Sequence, residues 1–149
     1  MNLEEKIMDG IKQAMKSHDK VALESLRAIK SAILLEKTSG AKGELDQAAE
    51  MKLLQKLVKQ RKESAEIYTQ QNRADLAEAE LAQAAVIEAY LPKQLSAEEL
   101  EAEVAAIIAQ TGASSPAEMG KVMGVASKAL TGKADGRAIA ETVKRLLAR

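Results

Sequence analysis

Apolar side chains in this chain return every three or four positions and almost never every second one, and that habit decides most of what it can fold into. Leu3, Ile7, Ile11 and Met15 recur at this spacing, as do Leu23, Leu26, Ile33 and Leu34, then Met119, Val122, Met123, Ala126 and Leu130. A helix gathers such positions into one stripe, whereas a half-buried strand needs period two. Ala, Leu, Glu, Lys and Gln dominate the 149 residues, and there are only two prolines. These are good helix formers. With two tyrosines, no Phe and no Trp, the core has to be built from aliphatic side chains and methionine.

Boundaries follow from capping chemistry. Asn2 with Glu5, Ser96 with Glu99, and Ser115-Pro116-Ala117-Glu118 form capping-box patterns, the last with proline at the first helical position. Asp19 can cap a second helix, and Asp135 one that begins at Gly136. A polar loop is expected over Thr38–Glu44, which contains Gly40 and Gly43. A long third helix is expected over 46–71 and a fourth over 73–91, ended by Pro92. The expected fold is all-α: a four-helix bundle-like domain over 1–92, then a small three-helix domain over 93–149.

Charge is balanced overall but not locally. Lysine and arginine number 22, as do aspartate and glutamate. Residues 96–115 carry four acidic side chains and no basic one, whereas 116–149 carry seven basic against three acidic. A second basic run, Lys52, Lys56, Lys59, Arg61 and Lys62, contains no carboxylate. Such blocks are either solvated faces or binding surfaces. Scarce aromatics leave almost no means of stacking bases, so a nucleic-acid partner would be held by its phosphates and its shape.

Several chemistries find no support. The chain has no cysteine, which removes disulfides, thiolate metal sites and thiol nucleophiles. His18 lies in Ser17-His18-Asp19 with no nucleophile or metal motif to join it, and reads as a polar connector. A phosphate loop of the Walker type needs four residues between its glycine and its Gly-Lys pair. Here Gly124 and Gly132 enclose seven, and Ala134 stands where the magnesium-holding hydroxyl would be. No cofactor, no metal and no catalytic residue is expected. Neither a signal region nor a membrane-length apolar run is evident, so a cytoplasmic protein with no membrane partner is expected.

Two features invite a more specific reading. Gly120 and Gly124 fall inside an expected helix, where each costs about 1 kcal/mol relative to alanine. Either another helix packs closely on them, or a nucleic-acid backbone lies between Lys121 and Lys128 over Gly124. Arg61 and Glu80 interrupt apolar stripes of the third and fourth helices. A lone charge on such a stripe is costly unless paired, so an inter-helix ion pair is expected, with Lys30 as a further candidate.

The stretch Met119–Leu147 resembles the tail shared by YqeY-like proteins and the B subunit of the tRNA-dependent Asp/Glu amidotransferases. The resemblance extends upstream through Arg61-Lys62-Glu63-Ser64, Arg73-x-Asp75-Leu76 and Tyr90-Leu91-Pro92, and Leu23–Lys37 resembles the family's second helix. It implies an all-helical protein with a tRNA-binding tail and no settled reaction. The residues this points to are Lys121, Gly124, Lys128, Lys133, Arg137, Lys144 and Arg145. The expected function is that of a non-catalytic, tRNA-interacting accessory protein connected with an aminoacyl-tRNA or amidotransferase complex. By similarity it would be grouped with carbon–nitrogen ligases that use glutamine as amido donor. The alternative is a helical protein–protein adaptor with no nucleic-acid role.

Overall fold

The computed structural model describes residues 2–39 and 45–149. It is all-α: α1 Leu3–Ser17, α2 Lys20–Thr38, α3 Gln47–Gln70, α4 Ala74–Glu88, α5 Ala97–Thr111, a 3-10 turn Pro116–Glu118, α6 Met119–Ala129 and α7 Gly136–Leu147. The chain divides into two compact units, Met1–Leu91 and Pro92–Arg149.

Caps set the helix starts. Asn2 accepts the Glu5 amide at 2.8 Å, Asp19 that of Ala22 at 3.0 Å and Asp46 that of Ala49 at 2.7 Å. Each bond satisfies one of the amides that a helix start leaves without a partner. His18 ends α1 in the left-handed region at φ 55° and is exposed, consistent with a connector. Of the expected loop over Thr38–Glu44, Thr38 still belongs to α2, its hydroxyl returning to the carbonyls of Leu34 and Leu35. Residues 40–44 lie outside the described residues.

In the first unit α2 packs on α1 and α4, and α4 lies along α3. Ile7, Ile29, Leu54 and Ile87 are sealed at its centre. The expected stripes err at their ends. Met15 is 55% exposed and Ala14 takes the inward place. Each step of four residues overshoots a full turn by roughly 40°, so three such steps from Leu3 carry Met15 about 120° off the stripe. Leu34 is likewise 62% exposed, while Ile29 and Ile33 fill the core. Gly10 gives α1 a close approach to Tyr90: an added Cβ would stand 2.5 Å from the phenol oxygen, so the tyrosine would have to shift. Burial, reinforced by the Asp9 charge, pushes the Tyr90 phenol above its ordinary 10.0.

The expected Arg61–Glu80 pair does not form. Arg61 Nε donates to Gln83 Oε1 at 3.1 Å and one of its terminal nitrogens to the Leu57 carbonyl at 3.1 Å. Gln83 in turn donates to Glu24 of α2 at 3.4 Å, and Lys30 is exposed. The cause is register. α3 and α4 form a hairpin turning at Asn72, φ 60°, which puts residue 83 level with residue 61. Glu80 sits three residues nearer the turn, about 4.5 Å of helical rise.

α4 ends at Glu88, short of the expected Leu91. Tyr90 and Leu91 donate to Ile87 and Glu88, three residues back. This tighter winding closes a helix end ahead of Pro92, which disfavours helical angles in the residue before it. The second unit then begins with the Ser96–Glu99 capping box. Leu100, Val104 and Ile107 of α5 meet Val122, Ala126 and Leu130 beside α6 and Ile139, Val143 and Leu147 of α7. Gly112, at φ 73°, supplies the left-handed residue that ends α5.

Candidate nucleic-acid interface

α6 begins on a 3-10 turn with Pro116 at its start, and the Glu118 carboxylate accepts the backbone amides of Ser114 and Ser115. With that end fixed, Val122 and Ala126 are fully buried against α5 and α7. The helical period then dictates what faces outward. Lys121, Gly124 and Lys128 are all exposed, and the lysines, seven residues apart, differ by only about 20° around the axis. Val125 lies on the same face and is 40% exposed.

The glycines on this helix pack against no other element of their unit among the described residues. A Cβ built at Gly120 or Gly124 meets nothing within 4 Å. Close packing of a neighbouring helix, one of the two readings open from the sequence, is therefore not seen at either glycine among the described residues of this unit. The cost of about 1 kcal/mol per glycine is offset by no close packing among the described residues of this unit.

The turn into α7 is tightly built. Thr131 returns its hydroxyl to the Ser127 carbonyl, Gly132 adopts φ 80°, and Lys133 donates to the Leu130 carbonyl at 3.0 Å. Leu95 donates to the Lys133 carbonyl at 2.9 Å, and the Gln94 amide to that of Gly132 at 2.6 Å. Those two bonds hold Lys133 in place. They join positions 38 residues apart, and no local sequence signal announces them. Asp135 occupies the N-cap position of α7, but its side chain accepts no helix amide. Gly136, the first residue of that helix, is open, with nothing within 4 Å of an added Cβ.

The seven residues singled out by sequence are all exposed, but they do not share one arrangement. Lys133 and Arg145 line a cleft between the start of α5 and α7, together with Asp135 and Glu141, so its charges cancel. Lys121, Gly124 and Lys128 do not line it. Arg137 is bridged to Glu141 at 3.3 Å, and Arg145 to Glu101 of α5 at 3.4 Å. Such exposed pairs are worth little and yield readily to a stronger anion. Lys121, Lys128, Lys133 and Lys144 make no ion pair among the described residues, and the first two of these stand on the outer face of α6. Sequence reasoning passed over Val125, although its spacing from Lys121 and Lys128 places it between them.

Among the described residues no group of three or more His, Cys, Asp or Glu side chains is placed to hold a metal ion, and no helix is long and apolar enough to cross a membrane. The protein of Meyerozyma guilliermondii named "Altered inheritance of mitochondria protein 41, mitochondrial" is 40% identical over 81 residues. The match covers 54% of this chain and 42% of that protein, so the chain spans less than half of the relative's length. The family model described as Yqey-like protein matches residues 4–147, almost the whole of the helical architecture described above. The chain belongs to the YqeY-like family.

Proposed function

We propose that the protein is a non-catalytic accessory factor that binds tRNA through its C-terminal helices, gripping the phosphate backbone rather than reading bases. One observation carries the reading: α6 presents Lys121, Gly124 and Lys128 on an open face whose glycines meet nothing else among the described residues of the unit. Glycine lets a ligand's backbone come close to the helix, and lysines a turn away on either side supply charge to phosphates. Lys133, Arg137, Lys144 and Arg145 extend that charge along the turn and α7, and the start of α7 offers amides that no side chain caps. Resemblance of this tail to that of the amidotransferase B subunit supports a link to tRNA-dependent transamidation or to an aminoacyl-tRNA complex. We place this activity in the cytoplasm, where tRNA is charged. The chain's own part is to bind and position RNA; with no cysteine it has no thiol for releasing ammonia from glutamine.

Titration of deacylated tRNA against wild type, Lys121→Glu/Lys128→Glu and Lys52→Glu/Lys56→Glu tests the proposal. The first double variant should bind more weakly, and its log–log salt dependence should flatten by about 0.7–0.9 for each phosphate it no longer neutralises. The second should change little. Equal affinity for all three proteins, or no binding at low salt, would leave the helical adaptor as the better reading.

A further inference from the structure

The cleft between the start of α5 and α7 suits a polyanion poorly, because Asp135 and Glu141 stand in it beside Lys133 and Arg145. The same mixture suits a ligand that itself carries both signs. The cleft holds about 540 Å³, within the ordinary range of small-molecule sites. Leu95, Ala97, Leu100 and Ala138 give it an apolar lining. Its backbone is fixed from within the unit: Leu95 donates to the Lys133 carbonyl, and the Gln94 amide nitrogen donates to the carbonyls of Pro92 and Gly132. Two carbonyls against that nitrogen settle which way the amide faces. The Gln94 carbonyl oxygen is left as an acceptor with no hydrogen-bond partner among the described residues.

Two of the four charges are engaged with residues outside the cleft. Glu141 pairs with Arg137 at 3.3 Å and Arg145 with Glu101 at 3.4 Å, and neither Arg137 nor Glu101 lines it. Lys133 and Asp135 remain, one of each sign, paired neither with each other nor with any other described residue. Asp135 also forgoes the bond its position invites: its backbone has the extended form of an N-cap, yet its carboxylate accepts no amide of α7. We infer that the cleft binds a small zwitterion of the α-amino acid class. The ligand's ammonium donates to Asp135, its carboxylate accepts from Lys133, and an aliphatic side chain lies on Leu95, Ala97 and Ala138. Charges of opposite sign on one carbon satisfy both residues at once, which neither a lone cation nor a lone anion does, and each contact is a charge-assisted hydrogen bond. The Gln94 carbonyl oxygen offers a further acceptor for the three ammonium hydrogens.

Isothermal titration calorimetry of the full chain with L-leucine, L-leucinamide and N-acetyl-L-leucine tests the assignment. The amide lacks the carboxylate, and the acetyl derivative lacks the ammonium. In low salt, leucine should bind with a dissociation constant of about 1 mM, as befits two contacts that water and ions can reach. Each derivative should bind about tenfold more weakly, the scale of one lost charge-assisted contact. Asp135→Asn should lower leucine to the level of N-acetylleucine and leave N-acetylleucine itself unchanged. Lys133→Gln should lower leucine to the level of leucinamide and leave leucinamide unchanged. This crossed pattern identifies which ligand charge meets which residue. Both variants should melt as wild type does, because asparagine serves as well as aspartate at an N-cap and Lys133 is exposed.

Leucine binding that both variants retain would overturn the inference, as would no heat of binding at about ten times the expected dissociation constant. Leucinamide bound as tightly as leucine would reduce the cleft to a cation site, and N-acetylleucine bound as tightly would reduce it to an anion site; either result also overturns the zwitterion. Lys133 belongs to the proposed RNA surface as well, but these titrations contain no RNA. Their failure leaves the tail proposal standing, and failure of tRNA to bind leaves this one standing.

Discussion

Placing alanine at both Gly120 and Gly124 separates what α6 needs for its own stability from what it offers a ligand. Neither glycine is among the positive-φ residues of the chain, and an added Cβ at either finds only open space. With neither strain nor clash to oppose it, each exchange should stabilise α6 by about 0.5–1 kcal/mol by restricting the unfolded chain. Together the two amount to about 1–2 kcal/mol, a rise of roughly 5–15 °C in the melting temperature of a unit this small. Far-ultraviolet circular dichroism reads that melt. The same two methyl groups would stand between the helix backbone and an approaching phosphate. tRNA affinity should therefore fall by about tenfold, the scale of one displaced hydrogen bond to a charged group. A variant more stable by this margin whose tRNA affinity is unchanged would refute the idea that the glycines admit a ligand. A variant that melts lower would refute the open geometry itself.

The register of the α3–α4 hairpin makes Arg61 and Glu80 unequal. Arg61→Met, which removes the bonds to Gln83 and the Leu57 carbonyl, should cost about 1–2 kcal/mol in urea unfolding, whereas Glu80→Gln should stay within about 0.5 kcal/mol of wild type; equal costs would restore the ion pair. At the start of α5, hydrogen bonds from the Ser96 amide and then its hydroxyl hold the Glu99 carboxyl below its ordinary 4.5. Folding thus favours the charged form. Its contribution is complete above the unfolded value near 4.5 and is lost as pH falls through the lowered folded value. Glu99→Gln should flatten the acid side of the tail unit's stability curve, and an unaltered curve would count against the cap.

Local patterns carried the fold far. The Asn2–Glu5 and Ser96–Glu99 boxes, the Asp19 cap and the stripe Val122–Ala126–Leu130 all act within one or two turns, and their chemistry is fully written in adjacent residues. What local pattern could not supply was phase and register. Met15 falls off its stripe because spacing of four, extended over three steps, drifts around the axis, and Leu34 because it directly follows the buried Ile33 and so stands about 100° from it. Arg61 was given the wrong partner because the level of one helix against another depends on the turn at Asn72. At the candidate interface, exposure of the lysines followed from helical spacing. Three facts waited for the third dimension: the openness of Gly120 and Gly124, the diversion of Arg145 to Glu101, and the tie from Gln94 to Gly132.

The aliphatic core has an optical consequence. Both tyrosines, Tyr68 and Tyr90, are half-buried in the unit Met1–Leu91, and residues 92–149 contain no aromatic side chain. Near-ultraviolet dichroism and intrinsic fluorescence therefore see the first unit alone, while far-ultraviolet dichroism sums the helices of both. Melting the protein once with each signal dissects it without cutting the chain. A transition present in the far-ultraviolet trace and missing from the tyrosine trace belongs to the tail, and adding tRNA to such a pair of melts would show directly which half the ligand protects.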